Sequence, residues 1–478
     1  MNVRKAIKTA YQTSPRFVQN GFGVVYGKMP VSVRYALYTD KAFKALYGFL
    51  QRSERWSRQK HEQYQLFELR RLLHHAYDNV AYYRRVFRQN GIKPGDVKTL
   101  GDIKKVPYLT REAVQENLVD MIAANYPKSK LTLITTGGST GLPLGLYYDK
   151  CACDVKEWAF MVTIWSRFGY RVADKTVVMA ERSSDGSSLW HHKGLRQIYF
   201  SSYHMTDQNL PTYIEQMMKI KPDFVRGFPS VLSILARYMR ENSVPPFPTV
   251  KAIFCGSENI YPPQRQLLSE AFNCRVSSWY GHTEQAVLGG DCEFSSCYHL
   301  FPQYGVPELL GRDGEPVTDE DGVGEIVATG FTNYAMPLIR YRTMDLGIVT
   351  NQTCDCGRNY PLLKRVEGRT QDFVVGKDGR TISLTGLISG QHFRVLAQIK
   401  DMQIVQKKEG EISILIVKGP EYSQKSEQIM LERIRRITDD QMHVTCEYVD
   451  EIPRTRIGKR LFLVQKLPIP RANLPRHV

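Results

Sequence analysis

The sequence has no long apolar run, no internal repeat and no low-complexity block. Because a bilayer span needs about 18–20 consecutive apolar residues, and because the basic start MNVRKAIKTAYQTSPRF has no apolar core, we expect neither a membrane span nor a secretory signal. The nine cysteines are an odd number, which argues against a disulfide framework and for free or metal-bound thiols in a reducing compartment. No recognised nucleic-acid-binding motif occurs.

The composition is that of an ordinary globular chain. Its 478 residues are 42% hydrophobic and 24% charged, which indicates two or three domains. The net charge is +17, and the first 60 residues carry twelve Lys and Arg against two acids. This segment is either a solvated basic surface or a weak contact for an anionic membrane face or polyanion. We therefore expect a cytoplasmic protein, with peripheral contact at the inner membrane face as the sharper alternative.

The pattern of strands and helices changes twice along the chain. Residues 62–91 are predicted to form a helix, because Leu66, Leu69, Leu73 and Ala76 stand at helical spacing and Gly91 can end it. The part up to residue 130 is predicted to be mostly helical. From residue 131 onward, the short runs LTLITT, KTVVMA, DFVRGF, VKAIFCG and RVSSWYG alternate with helical runs, which indicates a mostly parallel α/β sheet. A β-rich stretch follows to about residue 365. After residue 372, a hairpin DFVVGKDGRTISL, further strands and a helix predict a small α+β unit.

The sequence thus predicts a large α/β N-terminal domain, residues 1–372, and a small α+β C-terminal domain, residues 373–478. The large domain combines mostly parallel sheets and helices with a β-rich subdomain.

Five short motifs contain the residue types that nucleotide chemistry needs. They are TTGGSTGLP at 135–143, SWYGHTE at 278–284, RYRTMDLG at 340–347, VEGRTQD at 366–372 and PRTRIGKR at 453–460. Glycine and hydroxyl groups suit phosphate, an aromatic ring can stack on a base, and carboxylates can bind ribose hydroxyls or Mg²⁺. Each motif alone is more simply an ordinary loop, a strand end or a surface turn, or, for RYRTMDLG, a strand with a buried ion pair.

Together and in this order, the motifs resemble the ANL superfamily of adenylate-forming enzymes. The resemblance covers nearly the whole chain and is strongest to the phenylacetate–CoA ligase branch, especially its members from capsular polysaccharide biosynthesis. HAYDNVAYYRRVF and SSYHMTDQNLPTYIEQMMKIKPDFVRGFPSVL are also typical of that branch. The resemblance implies a lid domain that rotates about a hinge near Asp372. It also implies a two-step ligase reaction that uses ATP and Mg²⁺ and most simply CoA.

The resemblance also implies roles for individual residues. ATP phosphates would be held by Ser139, Thr140 and Gly141. The adenine pocket would be formed by Gly256, Ser257, Glu258, Tyr280 and Gly281, with the Tyr280 ring stacked on the base. Catalysis would involve Thr283 at the α-phosphate, Glu284 on Mg²⁺, and Lys459 between the acyl carboxylate and the α-phosphate. The ribose would be bound by Asp345 with help from Arg369, and the acyl pocket would be walled by Phe228, Pro229 and Ser230.

Two positions depart from the family pattern. Met344 stands where the RYRTGD motif has glycine, and Gly137-Gly138 begins a loop that often starts with serine. Both departures leave the key polar residues intact and affect the expected rate and loop shape.

Two groups of cysteines and a histidine form a candidate metal site. Cys354 and Cys356 are a close pair, and Cys292 and His299 lie upstream. Four nitrogen and sulfur ligands in two clusters are a zinc pattern, and related ligases often carry a structural zinc with a Cys-x6-His pair and a Cys-x-Cys pair. We therefore predict these four as ligands, with Cys297 as the alternative ligand. Free thiols and a surface histidine are the simpler alternative.

The sequence leaves the acyl acceptor open. CoA is the first expectation, and an amine or hydroxyl of a sugar or surface-polysaccharide precursor is the second. A third hypothesis is a basic membrane- or polyanion-binding protein without catalysis, which the presence of Lys459, Glu284 and Asp345 argues against. The carboxylic acid and the oligomeric state cannot be derived from these residues.

Overall fold

The structure is a computed structural model. It describes residues 41–135, 144–149, 152–181, 189–192, 197–201, 205, 208–311, 313–369, 373–379, 381–383, 398–438, 440–453 and 461–467.

The helices of the described part are α1 (Lys41–Ser53), α2 (Arg58–Asn79), α3 (Ala81–Gln89), α4 (Arg111–Glu116), α5 (Ala152–Ser166), α6 (Leu210–Ile220), α7 (Pro229–Glu241), α8 (Pro262–Phe272) and α9 (Gln424–Ile437). The strands are β1 (Leu131–Thr135), β2 (Gly145–Asp149), β3 (Thr176–Glu181), β4 (Leu189–His192), β5 (Gln197–Ser201), β6 (Phe224–Gly227), β7 (Ala252–Cys255), β8 (Arg275–Gly281), β9 (Leu288–Gly290), β10 (Tyr298–Leu300), β11 (Gly305–Leu310), β12 (Val323–Gly330), β13 (Tyr341–Val349), β14 (Leu362–Arg369), β15 (Phe373–Val375), β16 (Thr381–Ser383), β17 (Ile399–Lys408), β18 (Glu411–Lys418), β19 (His443–Tyr448) and β20 (Leu463–Gln465). None of these helices is long and apolar enough to cross a membrane.

The chain divides into two compact units. The first unit comprises residues 1–53 and 154–278, and the second comprises residues 54–153 and 279–478.

The first unit contains a sheet in the order β8-β7-β6-β3-β5-β4. Its strands run parallel except at the β4–β5 pair. One face of this sheet is an apolar core, in which Val177, Val225 and Ile253 pack with residues of α6, α7 and α8. Parallel strands buried in this way need helical crossovers, which explains the strand–helix alternation in the sequence.

The second unit contains an antiparallel sheet in the order β11-β12-β13-β14-β10-β9. The buried side of α2 and residues of this sheet belong to one core, which includes Leu69, Leu73, Ala76, Ile326 and Leu363. The helical spacing of the apolar residues in α2 had predicted that buried side.

The C-terminal part of the second unit is α+β. Strands β15 and β16 form the predicted hairpin. Strands β19-β18-β17-β20 form a four-stranded mixed sheet, and α9 lies between β18 and β19 in the chain. The predicted fold class is confirmed. The boundary predicted at residue 372 lies outside the described residues and stays a prediction.

Two predicted elements differ from the structure. The single helix predicted over 62–91 is two helices, because Val80 adopts an extended backbone (φ −114°, ψ 114°) between α2 and α3. This turn lets Ala76 on one side and Phe87 on the other enter the same core. The run LTLITT was predicted as a strand of the parallel sheet, which is wrong, because β1 pairs antiparallel with β2 in a separate hairpin.

Candidate active site and cysteine–histidine cluster

The carboxyl ends of β6 and β7 bring two predicted site residues together. Pro229 opens α7 directly after β6, and the Ser230 backbone N–H and Oγ donate to the two carboxylate oxygens of Glu258, each at 3.1 Å. A helix N-terminus favours a nearby carboxylate. Ser257 holds the turn after β7 in a left-handed conformation (φ 64°). The residues predicted for the acyl wall and the adenine pocket therefore meet at one edge of the parallel sheet.

The second unit pairs the predicted adenine-stacking ring with the predicted ribose carboxylate. The Tyr280 hydroxyl donates to Asp345 Oδ2 at 2.8 Å. Tyr280 lies near the end of β8, where it pairs antiparallel with Gly289 of β9.

A bulge in β13 orients Asp345. Residues 343–345 lie opposite Ile326 alone, because the paired residues on either side are Arg342 with Val327 and Leu346 with Glu325. The Thr343 hydroxyl donates to the Ile326 carbonyl at 2.6 Å and accepts from the Asp345 backbone N–H at 3.1 Å. Met344 takes a left-handed conformation (φ 66°) at the centre of the bulge. Bulges of this kind redirect side chains next to functional sites.

The predicted magnesium ligand Glu284 is buried and has two close neighbours. Tyr341 donates its hydroxyl to Glu284 Oε1 at 3.2 Å, and His282 Nδ1 lies 3.2 Å from Oε2. Thr283, between His282 and Glu284 in sequence, is exposed. Sequence reasoning missed Tyr341 as a support of this carboxylate and His282 as its neighbour, although both lie inside quoted motifs.

Arg340 is part of the scaffold of the site. Its guanidinium is buried, pairs with both oxygens of Glu308 at 2.7 and 3.0 Å, and donates to the carbonyls of Lys104 and Val106. A buried ion pair was the simpler interpretation of this strand. The structure contains both features, since Arg340 anchors the chain just before β13 and Asp345 extends from its bulge.

The other predicted nucleotide-site residues are described only in part or not at all. Arg369 ends β14 in register with Asp345, so their backbones are neighbours. Ser139, Thr140, Gly141, Asp372 and Lys459 lie outside the described residues.

The four predicted metal ligands come together. The sulfurs of Cys292, Cys354 and Cys356 and a ring nitrogen of His299 all lie within 4.8 Å of one another. Cys292 Sγ is 3.5 Å from Cys354 Sγ, and His299 Nε2 is 3.2 Å from Cys356 Sγ. Three thiols and an imidazole at this spacing fit a tetrahedral zinc ion.

The backbone around the cluster supports the same set of ligands. His299 Nδ1 lies 3.1 Å from the Cys297 carbonyl oxygen. A hydrogen bond there places the proton on Nδ1 and leaves Nε2 facing the thiols. Cys297 thus contacts His299 through its backbone, and its thiol is not one of the four grouped ligand atoms.

Arg358 links the cluster to the start of the second unit. Its guanidinium pairs with Glu54 at 3.0 Å and with Glu293 at 2.9 Å. Burial raises the pKa of Cys292 to about 12. Burial also acts to raise the pKa of Cys356, but hydrogen bonds from Arg358 and its positive charge outweigh this and lower it. Arg358 was not anticipated from the sequence, because nothing in its spacing marks it as a neighbour of Glu54.

Solved structures identify the fold. The structure of 2-hydroxyisobutyryl-CoA ligase in the postadenylation state with 2-HIB-AMP matches with a TM-score of 0.69 at 19% identity, covering 87% of this chain and 92% of that one. The fold is therefore that of the adenylate-forming ligases.

Sequence comparisons show which adenylate-forming ligases the chain resembles. Residues 374–466 match the CapK C-terminal domain family. Protein CapK of Staphylococcus aureus is 24% identical over 96% of this chain and 99% of its own length. Phenylacetate-coenzyme A ligase of Aromatoleum evansii is 26% identical over 69% of this chain and 74% of its own. The chain is thus similar in sequence to CapK and to the phenylacetate–CoA ligases, which confirms the predicted resemblance.

Proposed function

We propose that this protein is an AMP-forming ligase that activates a carboxylic acid as its acyl-AMP and transfers the acyl group to CoA. The observation that carries the proposal is the hydrogen bond between Tyr280 and Asp345. It sets an aromatic ring for the base beside a carboxylate for the ribose hydroxyls. The buried Glu284 follows Tyr280 by four residues.

In the first step, a carboxylate oxygen attacks the α-phosphorus of ATP. The bond between that phosphorus and the bridging oxygen breaks, and pyrophosphate leaves with the electron pair. Glu284 would hold Mg²⁺, which supplies positive charge to the phosphates. The exposed Thr283 hydroxyl would contact the α-phosphate, and the Lys459 ammonium would offset the charge that builds as two anions meet. Tyr341 keeps the Glu284 carboxylate oriented.

In the second step, the CoA sulfur attacks the acyl carbon, the thiol proton passes to solvent, and AMP leaves. A carboxylate alone resists this attack because its oxygen is a poor leaving group, whereas AMP leaves readily. Rotation of the C-terminal lid about Asp372 would open the path for the thiol. The alternative acceptor, an amine or hydroxyl on a sugar or polymer precursor, uses the same first step.

A two-stage assay tests the proposal. ATP–pyrophosphate exchange over a panel of carboxylic acids should identify at least one acid that supports exchange. The protein, that acid and ATP are then offered CoA or a panel of amino sugars, and the acylated product is detected by mass spectrometry. A thioester supports the CoA ligase, and an amide or ester supports the alternative. Absence of exchange with every acid would favour the non-catalytic hypothesis.

We also propose that Cys292, His299, Cys354 and Cys356 hold a structural zinc ion. The support is their grouping within 4.8 Å and the His299 contact that presents its Nε2 to the thiols. Four protein ligands leave no open position, so such an ion would stabilise the fold and take no part in the reaction.

We propose further that the protein works in the cytoplasm and that its basic segment, residues 1–60, touches the inner membrane face. In the described part of that segment, Lys41, Arg52, Arg55, Arg58 and Lys60 are exposed. Binding to anionic vesicles that weakens with salt would support the contact, and equal binding to neutral vesicles would contradict it.

A further inference from the structure

The cysteine–histidine cluster joins two connections of the antiparallel sheet in the second unit. Cys292 lies in the connection from β9 to β10, His299 lies in β10, and Cys354 and Cys356 lie in the connection from β13 to β14. Strands β10 and β14 are neighbours in that sheet. A bond between Cys292 and Cys354 therefore joins positions that are 62 residues apart in the chain.

The three thiols of the cluster differ in their access to solvent. Cys354 is partly exposed, whereas Cys292 and Cys356 are buried, and His299 is fully buried. A small oxidant from solvent therefore reaches the Cys354 sulfur first. Thiols that bind zinc are deprotonated, and the thiolate is the form that reacts with peroxide.

Cys292 lies where it can react with an oxidised Cys354. The two sulfurs are 3.5 Å apart, which is close to van der Waals contact. The Phe294 backbone N–H donates to Cys292 Sγ at 3.3 Å and so holds this sulfur in place. Cysteines that respond to oxidants are often accessible thiolates next to a second cysteine that resolves the first oxidation product.

We propose that Cys354 and Cys292 form a peroxide-sensitive pair, which is oxidised reversibly to a disulfide with release of zinc. The pair presupposes the structural zinc proposed above, and it does not depend on the identity of the acyl substrate.

Hydrogen peroxide supplies the oxidising equivalents in two steps. The Cys354 thiolate attacks one peroxide oxygen, the O–O bond breaks, and the sulfenic acid of Cys354 forms while hydroxide leaves and is protonated to water. The Cys292 thiolate then attacks the Cys354 sulfur, the S–O bond breaks, and a second hydroxide leaves and becomes water. Two electrons pass from the two sulfurs to the peroxide. Of the four ligands only Cys356 and His299 are left, which are too few to hold zinc.

The disulfide keeps the two connections joined after the metal has left. The stabilisation by a cross-link increases with the length of the loop that it closes, so a bridge across 62 residues constrains the unfolded chain strongly. Reaction with Cys292 also stops the oxidation of Cys354 before the irreversible sulfinic stage. Oxidation therefore releases zinc without unfolding the second unit.

Peroxide treatment of the zinc-loaded full chain tests the pair. Zinc release is followed with a metal-chelating dye, and disulfides are mapped by mass spectrometry of peptides. Wild type should release about one zinc per chain and form the Cys292–Cys354 disulfide, and dithiothreitol with added zinc should restore the metal. The control Cys297→Ser, which removes a partly exposed thiol outside the cluster, should behave like wild type.

Cys354→His is the decisive variant. It keeps four nitrogen and sulfur ligands but lacks the accessible thiol, so peroxide should release its zinc at least about tenfold more slowly. Release as fast as from wild type would overturn the pair. Zinc release from wild type with no Cys292–Cys354 disulfide would also overturn it, and that result does not depend on whether Cys354→His folds.

Thermal unfolding separates the disulfide from simple loss of metal. The melting temperature of oxidised wild type should lie between that of the zinc-loaded protein and that of reduced protein stripped by a chelator. Oxidised protein no more stable than the stripped protein would contradict the bridge. If the purified protein holds no zinc, the zinc proposal fails, and disulfide mapping after peroxide then judges the pair alone. A Cys292–Cys354 bond supports the pair, and any other result contradicts it.

Discussion

At the scale of single residues, the site depends on how Asp345 is aimed. A regular strand would alternate its side chains, but the bulge at residues 343–345 breaks that alternation and turns the carboxylate to the Tyr280 hydroxyl. The motif predicted Asp345 as a functional residue because of its family resemblance. It could not predict the contact with Tyr280 or the support of Glu284 by Tyr341, since both depend on how distant segments pair.

The backbone conformation of Met344 leads to a testable prediction about that bulge. Its φ of 66° is a conformation that costs L-residues about 1–2 kcal/mol and costs glycine almost nothing. Met344→Gly removes this strain, but about 0.5–1 kcal/mol of the gain is offset because glycine loses more chain entropy on folding. The stability of Met344→Gly should therefore match or exceed that of wild type. Met344→Val should be less stable than both, because a β-branched residue fits this conformation worst.

The measurement is the midpoint of thermal unfolding for the three proteins, with exchange activity as the second readout. Met344→Val should also lower exchange, since a distorted bulge moves Asp345. Equal stability and activity in the valine and glycine variants would show that the bulge does not depend on this backbone conformation.

At the scale of elements, the cysteine–histidine cluster joins two distant stretches of chain. Cys292 precedes β10 and His299 lies within it, whereas Cys354 and Cys356 lie in the loop before β14. Strand β10 pairs with β14. The spacing in sequence predicted two pairs of ligands, and the pairing of β10 with β14 brings the two ligand pairs together. Arg358 then joins the loop to Glu54 at 3.0 Å, so the loss of the cluster should loosen the start of the second unit.

Zinc content tests the cluster. Reduced, purified protein should contain about one zinc per chain, and Cys356→Ser should lose it, because structural sites fill as a four-ligand unit. Its melting temperature should fall too, since metal binding is coupled to folding. The matched control is Cys297→Ser, which removes a thiol outside the cluster and should keep both metal and stability. A metal-free wild type, or equal losses in the two variants, would rule the site out.

Elements with long, regular patterns were predictable, and elements set by distant contacts were not. The parallel strands β3, β6, β7 and β8 each follow a helical stretch and were predicted from that alternation. The hairpin of β1 and β2 was misassigned, because a five-residue strand has no sequence signal for its partner. The break at Val80 was missed because the apolar spacing continues across it, and only packing into the shared core selects the bend.

At the scale of the whole molecule, the site residues are distributed over the two compact units. The first unit supplies a parallel sheet with Ser230 and Glu258 at its carboxyl edge. The second supplies Tyr280, Glu284 and Asp345, the cysteine–histidine cluster and the C-terminal α+β part. The net charge of +17 suits anionic substrates such as ATP and a carboxylate.

The central claim, adenylation at the site of Tyr280 and Asp345, is tested most directly by exchange in a short variant series. With an active acid, Asp345→Ala should lower ATP–pyrophosphate exchange about 10²-fold, because two hydrogen bonds from ribose to a charged group are lost. Tyr280→Phe keeps the ring and should lose less than about tenfold, as expected for one neutral hydrogen bond. The exposed Asp319→Ala is the control and should retain full exchange. Exchange that survives in Asp345→Ala at the level of Asp319→Ala would contradict the account.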